Sequence, residues 1–102
     1  MEEIEFRWAE AELHRVRGEL LRAGHDPAGA ERSLCRAIDI AQQQSGKFWE
    51  LRAAISLARL WREEGKRDAA RDLLAPIYSW FTEGFDTPVL NEAKALIDTL
   101  VS

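Results

Sequence analysis

Ala53-Ala54-Ile55-Ser56-Leu57-Ala58-Arg59-Leu60-Trp61 is the stretch that decides the fold. Wound at 3.6 residues per turn, it is apolar on nearly every side. A surface helix shows one apolar stripe, whereas a helix that is apolar almost all round has neighbours on more than one side. The stretch therefore predicts a central helix, starting near Lys47 or Phe48, reaching Glu64 and ended by Gly65.

Helical spacing continues in both directions, while strand signals are nearly absent: β-branched residues are few and alternation never persists. Upstream, Phe6, Ala9, Leu13, Val16, Leu20 and Ala23 recur at steps of three, four, three, four and three. Glu3, Arg7, Glu12, Arg15, Glu19 and Arg22 hold the opposite face, with Glu3–Arg7 and Arg15–Glu19 at i,i+4 spacing. Gly24 is expected to end this first helix, because a residue without Cβ suits a left-handed terminus. Asp26-Pro27 reads as an N-cap followed by proline at the first helical position. The helix it opens presents Ala30, Leu34, Ala37, Ile38 and Ala41, and stops at Gln42-Gln43-Gln44-Ser45-Gly46.

Downstream, a fourth helix from about Arg67 points Ala70, Leu73, Leu74, Ile77, Tyr78 and Phe81 inward. Pro76 lies within it and is expected to kink it, since proline removes one backbone bond and clashes with the preceding turn. Gly84 is expected to close this element. Thr87-Pro88 opens a fifth helix, with Leu90, Ala93, Ile97 and Leu100 on one face and Asn91, Glu92, Lys94, Asp98 and Thr99 on the other. The fold class is all-α: antiparallel helical hairpins in an α-solenoid of about five helices. We expect one domain over 1–102, with hairpin 1 at about 4–44, hairpin 2 at about 47–82 and a C-terminal capping helix at about 88–101.

The chain has 102 residues, with 14 Lys and Arg against 18 Asp and Glu, a net charge of −4. That is room for one modest core, too short for a Rossmann enzyme with a substrate domain or for a TIM barrel. An acidic chain is poorly suited to neutralising phosphates, so nucleic acid is not an expected partner. Leu73 to Tyr78, interrupted by Pro76, falls far short of the ~20 apolar residues of a membrane span. The single Cys35 allows no internal disulfide, and no charged-then-apolar leader opens the chain. The expected setting is the reducing cytoplasm.

A shift of forty residues superposes Leu20 on Leu60, Arg22 on Arg62, Ala30 on Ala70 and Leu34 on Leu74. Gly18 falls on Ala58, Leu21 on Trp61 and Ala37 on Ile77. The matches keep size class on the apolar faces, so hairpins at roughly 11–44 and 51–81 are related. Gly18, Leu21, Ala30, Leu34 and Ala37 in the first, and Ala58, Trp61, Gly65, Ala70 and Leu74 in the second, resemble tetratricopeptide-type repeats. There, small residues stand where the two helices cross. The chain departs from that family at His14 and Ala54, where a large residue is usual, and at Pro27 and Arg67, where an aromatic opens the second helix. Its period is forty rather than about thirty-four.

Longer runs are similar to the last repeats of large bacterial signalling proteins. They are Glu10-Ala11-Glu12-Leu13-His14-Arg15 with Arg17-Gly18-Glu19-Leu20-Leu21, Trp49-Glu50-Leu51-Arg52-Ala53-Ala54, Ser56-Leu57-Ala58-Arg59-Leu60-Trp61, and Tyr78 to Thr87 followed by Glu92-Ala93-Lys94-Ala95-Leu96. Trp80 to Thr87 is the most specific part. Those proteins join a cyclase or DNA-binding output domain and a nucleotide-binding ATPase module to C-terminal helical repeats. The resemblance covers only their extreme C-terminal segment and implies a sensory or scaffolding role, with neither cyclase nor ATPase activity.

The chemistry-bearing residues point the same way. Gly46-Lys47 lacks the upstream glycine and following Ser/Thr of a phosphate-binding loop. His14, four residues after Glu10, has no third ligand candidate nearby and reads as a partly exposed histidine in a charged stripe. His25 belongs to a turn. Cys35 reads as a buried, inert thiol, since a nucleophile wants a base and exposure. Glu63-Glu64 reads as a solvated pair, and Trp61 as core.

Trp8 and Trp49 near helix starts, and the cluster Trp80, Phe81 and Phe85, form the candidate interaction surface. The competing reading is that the cluster simply anchors the last helix. The expectation is a non-catalytic protein-interaction or regulatory module without cofactor or metal, receiving a protein or peptide on a concave surface lined by the first helices of the hairpins. The alternative is a structural end-cap or self-association module of a longer array. Two repeats are fewer than the roughly three that usually sustain a solenoid. The first helix should therefore leave an edge for a second copy, in a homodimer, or for an upstream region.

Overall fold

The computed structural model describes residues 2–44, 46–81 and 88–101, with only the backbone described at 2–8 and 101. Among these residues there are five α-helices and no strand: α1 (Glu2–Ala23), α2 (Pro27–Gln43), α3 (Lys47–Glu63), α4 (Arg67–Trp80) and α5 (Pro88–Val101). The chain is an all-α array of helical hairpins. Helix α3 packs against all four others, as its all-round apolar sequence requires. Helices α1, α3 and α5 pack side by side, with α2 against α1 and α3, and α4 against α3 and α5. The molecule is 19 Å across its thinnest dimension, which is two helix layers at a spacing of about 9 Å.

Local signals set the helix ends. Asp26 caps α2, its carboxylate accepting the Gly29 N–H at 3.2 Å, with Pro27 as the first helical residue. Helix α4 stays helical through Pro76 and ends at Trp80, where the Phe81 N–H donates to the Tyr78 carbonyl at 3.0 Å. That is short of the expected Gly84. Gly84, the Thr87 cap and the rest of 82–87 lie outside the described residues.

The turn after α1 differs from expectation in an instructive way. His25, not Gly24, is the left-handed residue, with φ 66°. Its N–H donates to Arg22 at 3.1 Å, and the Asp26 N–H reaches back to Leu21 at 2.8 Å. This is a Schellman closure. Forty residues on, Gly65 has φ 84°, its N–H donates to Arg62 at 3.1 Å, and the Lys66 N–H reaches Trp61 at 2.7 Å. The same turn is built twice, once with glycine and once without. A left-handed L-residue costs about 1 kcal/mol. His25→Gly should therefore raise unfolding stability in urea by about 1 kcal/mol. Gly65→Ala should lower it by a similar amount. No atom lies within 4 Å of a Cβ added at Gly65, so that cost is conformational alone. Equal midpoints for the three proteins would refute this account of the turns.

The main core joins α2 to α5. Ala30, Leu34, Ala37 and Ile38 meet Leu51, Ala54, Leu57 and Ala58 of α3, Ala70, Leu74 and Ile77 of α4, and Leu90, Ala93, Leu96 and Leu100 of α5. Trp61 packs against this core half-buried, and its indole N–H donates to Glu31 at 3.2 Å. Among its described side chains, helix α1 adds only the partly buried Leu21 to it. A small satellite of Ala11, Ile40 and Ala41, covered by Trp49, holds the middle of α1.

The large described side chains of the α1 stripe therefore do not feed the core. Leu13 and Leu20 are each 69% exposed and Val16 is 42% exposed. The face turned inward carries Ala11 and Gly18 instead. The cause is proximity: a Cβ at Gly18 would stand 2.6 Å from Leu34 Cγ, so α1 and α2 meet almost backbone to side chain. A seam that tight takes glycine at position 18 and alanine at position 11 but no leucine, and the large side chains are turned outward.

Candidate interaction surface

Three of the five singled-out aromatics fall within the described side chains. Trp80, the last residue of α4, is 59% exposed. Phe81 packs against the core with its ring 5.1 Å from that of Trp80, edge to face. Trp49, in the first turn of α3, is half-buried over Ala11, Ile40 and Ala41, with the Arg52 guanidinium 5.9 Å from its ring centre. The Trp8 side chain and Phe85 lie outside the described residues.

Lys47 joins the two ends of the surface, its ammonium lying 5.7 Å from the Trp80 ring centre. This cation–π contact ties the start of α3 to the end of α4. Beside it opens a cleft of about 460 Å³ lined by Gln42, Lys47, Glu50 and Trp80. Glu50 is buried yet partnered: Gln42 donates to it at 3.0 Å and Lys47 stands 3.5 Å away. Phe48, 40% exposed and edge to face with Trp49 at 5.1 Å, belongs to the same patch. Sequence reasoning passed over Phe48. The signal was there, an aromatic pair opening a helix in which one ring can be buried and the other cannot.

The row of first helices offers a second, narrower cleft of about 160 Å³, lined by Arg15, Arg52, Ile55, Ser56, Arg59, Val89 and Glu92. Ion pairs bridge it. Arg15 donates to Glu12 at 3.0 Å, Arg52 lies 3.4 Å from the same carboxylate, and Arg59 pairs with Glu92. Arg22 bonds Glu19 and crosses to Glu63 of α3. Arg15 thus bonds Glu12, three residues back, and Glu19, its expected i,i+4 partner, acts on it through charge alone. The hydrogen bond from Arg15, and the charges of Arg15 and Arg52, hold the Glu12 carboxyl below its ordinary range against the opposing effect of burial. Burial pushes Glu19 up, but hydrogen bonds from Ser56 and Arg22 outweigh it, and its net shift is also downward. These are charges consumed in holding α1 to α3.

The remaining reactive side chains stand apart. His14 is half-buried on the outer side of α1, and His25 sits in its turn. Glu63 and Glu64 are exposed at the end of α3. Cys35 is exposed, not buried, in an open hollow of α2 that it shares with Glu31 and Asp39. Partial burial of the thiol, and then those two carboxylates, push it further from ionisation. A thiol kept protonated is a poor nucleophile for this reason rather than for lack of access. No group of three or more His, Cys, Asp or Glu among the described residues is placed to hold a metal ion. No helix among them is long and apolar enough to cross a membrane.

No protein-family model matches the chain. No curated protein and no solved structure matches it either.

Proposed function

We propose that the chain is a non-catalytic protein-interaction module that takes a protein or peptide segment against the patch of Phe48, Trp49 and Trp80. The observation that carries this reading is Trp80, 59% exposed at the rim of a 460 Å³ cleft with Lys47 against its face. Tryptophan is the side chain most often found as a binding anchor, because burying it gains large apolar area at little conformational cost. Here its ring is already oriented by Lys47 and Phe81. Gln42 and Lys47 add polar groups at the rim, held in place by the buried Glu50, which suits a polypeptide with exposed amides. The resemblance to C-terminal repeats of bacterial signalling proteins, and a tetratricopeptide-like hairpin pairing, fit a regulatory or scaffolding role in the cytoplasm.

The test is selection of peptides from a random display library on the intact chain, followed by titration of the selected peptides against Trp80→Ala. Trp80 lies outside the core, so the variant should keep its helicity. Loss of at least about tenfold in affinity is expected for an anchor contributing more than 1.4 kcal/mol. Peptides that bind both proteins equally, or a selection that enriches nothing, would remove the patch as the binding site. The exposed stripe on α1 favours a second reading, a self-association or end-cap role within a longer helical array.

A further inference from the structure

We infer that the outer stripe of α1 is the seam of a two-fold symmetric dimer, in which two copies of α1 pair as a short antiparallel coiled coil. Exposure alone does not say what covers the stripe; its self-complementarity does.

Phe6, Ala9, Leu13, Val16, Leu20 and Ala23 alternate steps of three and four, which is the a/d spacing of a coiled-coil seam. The three large side chains described on it, Leu13, Val16 and Leu20, are exposed and line a shallow hollow with Glu10, His14 and Arg17. On the same numbering, Ala11 and Gly18 fall at the f positions, opposite the seam. Those are the residues that face α2. The helix is thus two-sided: one face built of small residues for its own chain, the other spaced for a helix from elsewhere.

Antiparallel pairing with Leu13 opposite the second copy's Val16 matches every position by size. Ala9 meets Leu20, and the Phe6 position meets Ala23, so each layer sets a larger side chain against a smaller one. Parallel pairing would set each residue against itself, giving wide and narrow layers in turn. Charge makes the same choice. In the antiparallel register Glu10 lies beside the second copy's Arg17, and by symmetry this happens twice. Parallel pairing would put Glu10 beside Glu5, and Arg17 beside Glu12, a carboxylate already held by Arg15 and Arg52. Neither Glu10 nor Arg17 is paired with any described residue of its own chain. The inner-face charges Glu12, Arg15, Glu19 and Arg22, in contrast, are all bonded within the chain. The two outward charges left over are opposite in sign and fall where the second copy supplies their partners.

The experiment is sedimentation of the full chain from about 1 to about 100 μM, with far-UV circular dichroism as the control for folding. Wild type is expected to sediment at twice the chain mass within that range. Leu13→Glu/Leu20→Glu should be monomeric with unchanged helicity, since neither side chain supports the core. Glu10→Arg should weaken the dimer by about tenfold, and adding Arg17→Glu to it should restore the wild-type affinity.

A monomer throughout the range would overturn the inference, and would leave the stripe to an upstream helix or another protein. A dimer indifferent to Leu13→Glu/Leu20→Glu would place the contact elsewhere. A dimer tightened by Glu10→Arg would mean parallel pairing. Trp80→Ala should leave sedimentation unchanged, so this seam and the aromatic patch stand or fall separately.

Discussion

Leu34→Ala is expected to destabilise the protein by about 3 kcal/mol, the middle of the range for removing a fully buried leucine. Leu34 is fully buried, and it serves two contacts at once. One side of it fills the core between α2 and α3, and its Cγ and Cδ2 form the floor on which Gly18 of α1 rests. Its neighbours Ala30, Ala37, Ala54 and Ala58 are too small to move into the space. The cost should therefore carry most of its cavity component rather than relaxing away. A domain of this size has a total stability of roughly 5–15 kcal/mol, so the variant should melt of order 15 °C below wild type. A loss below about 1 kcal/mol by urea denaturation would mean that α1 and α2 close on the cavity, against the tight seam described above.

Gly18→Leu should have a comparable effect by the opposite route. A Cβ alone would come within 2.6 Å of Leu34 Cγ and 3.3 Å of the Ala30 carbonyl, and an isobutyl group adds three more carbons. Neither obstacle is the free end of a flexible chain. The gain of about 1 kcal/mol from replacing glycine inside a helix cannot offset a steric clash of that depth. The clash is confined to one seam, however, and none of the described side chains of α1 is a fully buried part of the main core. The expected result is therefore release of α1, not general unfolding. Amide hydrogens of α1 should exchange fast while those of α3 keep their protection. Uniform loss of protection in α3 as well would show that α1 is integral to the core. In the Leu34→Ala background the seam is open, and there Gly18→Ala should be neutral or stabilising. That reversal of sign is a coupling that contact between the two sites demands.

Much of this architecture was legible because it is written in local chemistry. Asp26-Pro27 opens α2 and Gly65 ends α3 through preferences that need no tertiary context, and the spacing of Ala30, Leu34 and Ala37 belongs to helix α2 alone. The turn at His25 was less legible. Gly24 looked like the left-handed residue, but the hydrogen bonds to Leu21 and Arg22 put that conformation one position later. The aromatic patch was half legible. An indole at the end of a helix is equally at home buried or exposed, and only the fold around Trp80 and Trp49 separates the two cases.

The sequence by itself determined five helices, their limits to within a few residues over most of the chain, and the centrality of α3. Tertiary structure decided which way α1 faces. Periodicity shows that a helix has an apolar side; it does not say whether that side meets the chain's own core or something beyond it. Gly18 and Leu34 settle that between them, because α1 can lie this close to Leu34 only by turning its small residues inward, which sends its large ones out.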